Sequence, residues 1–419
     1  VSNPTLVVVH GPGSAGPRDA LRAAHGRYDV VFAVQDRDAE CTAGLPLISR
    51  LAPVYRCSDE ASSMVALGSA QPEGIVTFSE SQLPFAARLA DVLGLRFHTP
   101  RTVDLLTNKY KQRCAMNAAG VSVTRIEEVT DPNALPSAAD RINYPVVIKP
   151  VVNNSSRWTT RCDSKRDVQD LVSAITASPD SPSRWVVEEM LQAGAHSYGD
   201  VLADFVSVES VVQDGKVSHF CITDRLAMAP PFRERGLLVP TLLPRAERAA
   251  LLDLATAALS ALGVRWGVTH TEIKLTPGGP RVIEVNGRLG GWVPELVRRV
   301  SSMDPVAMAV DVAMGRHVDI GVDVRHDDLS STHAAVLLVQ PPEGRFRVAE
   351  MADPSVLRQQ AGVWQAWKRA APGDIVDSRA GSLQALYAAY IEADREAMSG
   401  RLRQVELVGR SAVTLQAQQ

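Results

Sequence analysis

The chain is short of lysine. Of its 44 basic residues only seven are lysine, and the other 37 are arginine. It has no long basic run and its net charge is −3, so nothing in it favours nucleic acid or an anionic membrane surface as a partner. No apolar stretch is long enough for a membrane span: the longest helical one, Ala249 to Val264, is broken by Asp253. A basic-plus-apolar leader is also missing at the start. The five cysteines, at 41, 57, 114, 162 and 221, contain no C-x-x-C pair. They read as reduced packing thiols, and cytoplasmic is the expected location. Internal repeats and low-complexity segments are absent. Because arginine is so dominant, a lysine marks a place where a compact ammonium is wanted rather than a planar fork. Lys109, Lys149 and Lys274 all fall in the stretches singled out below.

The 419 residues, 45% of them apolar, are enough for two to four domains or lobes with ordinary cores. Thr5 to His10 reads as a buried strand. It runs into Gly11-Pro-Gly13-Ser-Ala-Gly16, then a helix from about Arg18 to His25, and a second strand, Tyr28 to Val34, ending near Asp36. This spacing matches the dinucleotide fingerprint, in which glycines let a pyrophosphate approach a helix N-terminus. Pro12 and Pro17 remove two backbone donors from that loop, which favours a plain strand-to-helix turn over a nucleotide site. With a strand at 74–78, a helix at 84–93 and the segment Gly94 to Pro100, the pattern is an α/β, Rossmann-like lobe over residues 1–100.

Thr102 to Ala119 then reads as one helix. Tyr144 to Lys149 reads as a strand followed by the polar loop Val151 to Trp158, and Arg184 to Leu191 as a strand ending in acids. An antiparallel pair, Tyr198 to Val212 and Lys216 to Thr223, turns at Gln213-Asp-Gly215. An irregular loop, Asp224 to Gly236, and a helix, Arg245 to Leu262, follow. Helices at 293–300 and 305–314, a hairpin of 333–339 with 344–349, and a helix from about Ser382 to Arg403 complete the chain.

The densest chemistry lies in residues 266–291. Two strand-like runs flank Thr-Pro-Gly-Gly-Pro. A turn symmetric about Gly278 sets Leu275 opposite Arg281, Glu272 opposite Glu284 and His270 opposite Asn286. Directly opposed residues have β-carbons about 4.5–5.5 Å apart, and like charges there repel. Glu284 and Asn286 share one face because side chains repeat every second residue. Two carboxylates and an amide oxygen would thus converge, a set that suits Mg²⁺ or Mn²⁺ arriving with phosphates. The alternative is a surface hairpin whose glutamates splay into water.

Taken together, these stretches resemble the ATP-grasp superfamily over about residues 75–400. The likeness is sharpest at Lys109, Lys149, Glu188 and the block from Glu272 to Gly291, which ends Glu-Val-Asn-Gly-Arg-Leu-Gly-Gly. Within the superfamily, Pro230-Pro-Phe-Arg-Glu-Arg-Gly236 and Thr-His-Thr-Glu-Ile-Lys are similar to the carboxylate–amine ligases, including L-amino-acid (dipeptide) ligases. The resemblance implies a pre-ATP-grasp lobe at 1–100 and a linker helix with the small lid subdomain at 101–190. The large subdomain with the metal site falls at 191–325, and a C-terminal hairpin and helix at 326–419 complete the large lobe.

The resemblance also implies roles. Lys109 and Lys149 hold the ATP phosphates, with Lys274 and His196 also on the nucleotide; Asn154, Ser155 and Ser156 close over the γ-phosphate; Glu188, Glu189, Met190 and Leu191 form the adenine hinge. Glu272, Glu284 and Asn286 hold Mg²⁺ (or Mn²⁺). Arg288 acts at the reacting centre with Lys149, and Glu234 and Gly291 touch substrate. The reaction implied is ATP-dependent amide formation through an acyl phosphate, on small carboxylate and amine substrates; a homodimer is the default assembly. The sequence departs from the family at His196, often a glutamate; at Trp158, commonly glycine; at Gly287, usually proline; and at Leu237, often histidine. Other ATP-grasp chemistry, an NAD-dependent oxidoreductase and a catalytically inactive binding protein are the competing readings.

Overall fold

The computed structural model describes residues 3–36, 38–58, 60–152, 156–179, 181–194 and 201–418. The apolar run at the start becomes β1 (Thr5–Val9), with β2 (Asp29–Gln35), β3 (Val54–Cys57) and β4 (Pro72–Thr77) in one parallel sheet of order β3-β2-β1-β4. Consecutive residues of β1 serve opposite faces. Leu6 and Val8 join one apolar cluster, with Val306 and Val310 of the helix Pro305–Ala313; Val7 and Val9 join another, with Phe85 and Leu89. Parallel strands are covered on both sides, which is why the run is continuously apolar.

A second sheet has the order β5-β8-β6-β7, from β5 (Ile126–Val129), β6 (Val146–Pro150), β7 (Thr160–Cys162) and β8 (Trp185–Glu189). The largest sheet contains β9 (Leu202–Gln213), β10 (Lys216–Leu226), β11 (Gly236–Val239), β12 (Trp266–Thr276), β13 (Gly279–Asn286) and β14 (Thr332–Val339). After β15 (Arg345–Met351) come β16 (Val363–Lys368), β17 (Ile375–Asp377), β18 (Tyr387–Asp394) and β19 (Val413–Ala417). The large sheet runs β13-β12-β9-β10-β11-β14-β18-β16, and β17-β15-β19 form a small fourth sheet. Among the described residues, no helix is long and apolar enough to cross a membrane.

Four expectations are corrected. The helix expected over 102–119 is two helices, Pro100–Thr107 and Lys109–Ala118. Asn108 is extended (φ −107°, ψ 104°) and its side chain caps the second helix by accepting from the Lys111 N–H. The loop expected from Asp224 begins later, because Asp224, Arg225 and Leu226 belong to β10. The hairpin expected at 333–349 does not form: β14 is paired on both edges, by β11 and β18, so β15 has to pair elsewhere. The helix expected over 382–403 is the buried strand β18 followed by a helix, Arg395–Ser411. Its alanines read as helix formers, but the slot between β14 and β16 imposes extended backbone. Tyr198, at the start of the expected antiparallel pair, lies outside the described residues.

Candidate active site

The β12–β13 hairpin is built differently from expectation, yet it presents the expected pairs. The turn is the two-residue Pro277-Gly278, so Thr276 faces Gly279, Leu275 faces Pro280 and Lys274 faces Arg281. A bulge between Glu272 and Ile273 then shifts the register by one residue, setting Glu272 opposite Glu284 and His270 opposite Asn286. The bulge restores what the turn displaced.

Cations meet these carboxylates from other elements. Lys109 opens its helix at the Asn108 break; its N–H donates to Val151 O (3.0 Å) and its ammonium lies 2.6 Å from Glu284 Oε1. Lys149, near the end of β6, lies 2.6 Å from Glu188 Oε2, while Arg113 Nε is 3.4 Å from Glu188 Oε1. All three of these last residues are buried. Burial raises the Glu188 pKa, but the charges of Lys149 and Arg113 outweigh it and leave the group below its ordinary value. The Glu188 carboxylate is thus bound to basic side chains of its own chain, and Glu189, Met190 and Leu191 follow it along the wall of the cavity. Glu188→Gln leaves two buried cations without a counter-charge. It is expected to cost about 3–5 kcal/mol of stability, as for one partner removed from a buried pair. Urea unfolding measures this, and a loss under about 1 kcal/mol would show that solvent or backbone carbonyls compensate.

A second network backs Glu272. Arg225, at the end of β10, is buried. It donates through Nε to Ser207 Oγ (3.0 Å), through Nη1 to Glu234 Oε1 (3.3 Å), and through Nη2 to His270 Nε2 (2.7 Å) and Glu272 Oε1 (3.1 Å). A guanidinium only donates, so His270 Nε2 accepts. Its Nδ1–H points at the buried Glu209 (2.5 Å). Burial works to raise the Glu272 pKa, but the charges of Arg225 and Arg288 hold it well below the usual carboxylate range. Arg225 and Glu209 were not singled out by the sequence reading. Arg225 sat in what looked like an irregular loop, and Glu209 was one acid within a long apolar strand; only the period-two match of β9 against His270 carried a signal.

Arg288 is held at three places: Nε is 3.0 Å from Glu80 Oε2, Nη1 donates to Leu289 O (3.0 Å), and Nη2 lies 3.4 Å from Asn286 Oδ1. Glu80 comes from the turn after β4 and is another residue the sequence reading missed; burial raises its pKa. The glycine that close packing requires is Gly290, where a β-carbon would stand 2.5 Å from His270 Nδ1, whereas at Gly291 it would meet nothing within 4 Å.

One cavity of about 1170 Å³ gathers these groups. Lys109, Lys149, Ser156, Glu188, Glu189, Met190, Leu191, Lys274, Glu234, Arg288, Gly291, Glu272, Glu284 and Asn286 all line it. Asn154, Ser155 and His196 lie outside the described residues. Lys274 is paired with Asp204 (2.6 Å). Beyond Arg288 the cavity has an aromatic wall in Trp292 and Tyr390, whose rings are 6.1 Å apart. Trp158 adopts φ 57°, a left-handed conformation that favours glycine, and it packs edge-on against Trp185 at 6.0 Å. Leu237 is buried in β11 and does not line the cavity. The Gly11–Gly16 loop reaches the cavity rim but is a poor pyrophosphate site. Asp19 accepts from the Gly16 N–H (3.1 Å), placing a carboxylate at the helix N-terminus, and Asp36 is held by Arg56 (2.6 Å).

Residues 142–295 match the family described as ATP-grasp domain. The chain is 27% identical over 252 residues to the uncharacterised protein y4rH of Sinorhizobium fredii, covering 59% of this chain and 50% of that one. It is 27% identical over 266 residues to the alanine–anticapsin ligase of Bacillus subtilis, covering 59% and 55%. The chain therefore spans about half the length of the curated relatives it matches. The crystal structure of the L-amino acid ligase from Bacillus licheniformis superposes over 100% of both chains, with a TM-score of 0.76 at 20% identity.

Proposed function

We infer that this chain, an ATP-grasp protein by its fold and by the match of residues 142–295, is an ADP-forming carboxylate–amine ligase acting on amino acids or related small acids. The observation that carries the reading is the single cavity in which two lysines, a facing carboxylate pair with an amide, and a tethered arginine converge. Its volume exceeds the roughly 300–1,000 Å³ of ordinary ligand pockets, which suits a nucleotide together with a second substrate.

The donor set fits Mg²⁺. Among the described residues no group of three or more His, Cys, Asp or Glu side chains forms a closed cage. Two carboxylates and one amide oxygen are what a metal completed by water and phosphate oxygens needs. Glu272, Glu284 and Asn286 would hold it, and bound there it neutralises charge on the transferring phosphoryl group.

Lys109 and Lys149, which pair with Glu284 and Glu188, would hold phosphate oxygens of ATP. Met190 and Leu191 would flank the base, with Ser156 and Lys274 also on the nucleotide. The substrate carboxylate attacks the γ-phosphorus, the bond to the β-phosphate oxygen breaks, and ADP leaves. A neutral amine then attacks the acyl carbon, phosphate departs, and the amine proton is lost. Arg288 would stabilise the negative oxygens in both steps, held ready by Glu80 and Leu289 O. Glu234 would take the ammonium of an amino-acid substrate.

ADP release with ATP and Mg²⁺ against amino acids and small acids, alone and in pairs, tests this. Release only with an acid–amine pair, and a product mass equal to their sum less water, supports the reading. Bicarbonate dependence, a change in nicotinamide absorbance without Mg²⁺, or failure to bind ATP would each overturn it.

A further inference from the structure

His98 lies in the segment that leaves the parallel sheet, and no role for it follows from the reaction itself. It is buried, with Nε2 2.9 Å from Gly287 O. A carbonyl only accepts, so Nε2 carries the proton. Nδ1 is buried with no hydrogen-bond partner among the described residues, and burial lowers the pKa to about 4, so the ring is neutral.

Two glycines, one in β12 and one just after β13, make room for this one ring. At Gly287 a β-carbon would stand 3.2 Å from Nε2 and 2.8 Å from Leu106 Cδ1. At Gly267, which has φ 125°, it would stand 3.0 Å from Cε1. The space a proline or alanine would use at 287 is therefore filled by His98 and Leu106. Gly287 separates Asn286 from Arg288, and the same N-terminal stretch supplies Glu80 to Arg288.

We propose that His98 is a positioning residue: its Nε2–H pins the Gly287 carbonyl and so fixes where Asn286 and Arg288 point. The consequence for turnover rests on the ligase reading; the pinning itself does not.

The test compares full-length wild type with His98→Leu, which fills the volume without a donor, and His98→Gln, whose amide restores one. Hydrogen exchange at residues 285–290 is expected to quicken about tenfold in the leucine variant, the effect of one lost buried hydrogen bond, and to return towards wild type with glutamine. The kcat for ADP release is expected to fall about 10²-fold with leucine at unchanged KM for ATP, as a small misplacement of reacting groups does, and to recover with glutamine. If the leucine variant fails to fold, His98→Asn, whose amide is too short to reach the carbonyl, takes its place. Wild-type exchange in a folded donor-less variant, or equal damage from leucine and glutamine, would overturn the proposal. If the wild type releases no ADP with any acid–amine pair, the ligase reading fails, and the exchange comparison still decides the pinning.

Discussion

Glu284→Ala is expected to remove Mg²⁺-dependent ADP release while leaving the fold intact. Glu284 lies at the end of β13, the edge strand of the large sheet, opposite Glu272. It is partly exposed to the cavity, so its removal opens no sealed core void. What it removes is one of two carboxylates able to hold a metal, together with the partner 2.6 Å from Lys109. A metal that polarises a phosphoryl group contributes several kcal/mol of transition-state stabilisation. That corresponds to a fall of about 10²–10³-fold in rate. The measurement is ADP release against Mg²⁺ and Mn²⁺ concentration, with urea unfolding as the control. A folded variant that keeps wild-type Mg²⁺-dependent turnover would show that Glu284 holds no metal.

Arg288→Lys comes next in size. The guanidinium is held through three atoms at once, on Glu80, Leu289 O and Asn286. A lysine ammonium carries the same charge but lacks the rigid fork, so it cannot keep these tethers and also present donors to a forming oxyanion. Losing one such preorganised donor typically costs on the order of 10²-fold in kcat. Equal losses in kcat and kcat/KM are expected, the mark of an interaction made in the transition state. A loss under about twofold would place Arg288 away from the reacting atoms. The loss of Glu80's partner bears on folding as well, so the variant should also be compared with wild type by thermal unfolding.

The pairs that face each other across the β12–β13 hairpin show how far a sequence reaches. Alternation along β12 and β13 put His270 with Glu272, and Asn286 with Glu284, on facing strands, and this follows from the two-residue period alone. The route was wrong: a turn symmetric about Gly278 does not occur, and the pairing survives only because the Glu272–Ile273 bulge adds the missing residue. Bulges carry no dependable sequence mark, since they answer to the neighbouring strand, here β9, which holds β12 in continuous register. Asn108 was a different case. Its capping preference was legible, but an unbroken polar–apolar pattern hid the break that places Lys109. At Tyr387–Asp394 local propensity was misleading, because a slot between two existing strands overrode it.

Composition and strand alternation determined by themselves the α/β class, and the resemblance carried by the motifs around Lys109, Lys149, Glu188 and Glu272 to Gly291 pointed to fourteen of the residues that line the cavity. These signals are local, carried by side-chain period and by motifs within a few residues. Arg225, Glu209, Glu80 and His98 were decided only by tertiary structure. They belong to β10, β9, the turn after β4 and the segment leaving the first sheet, far apart in sequence from the groups they hold. Each does its work through a contact that exists only once the sheets are assembled, and contacts of that kind leave no periodic trace in the chain.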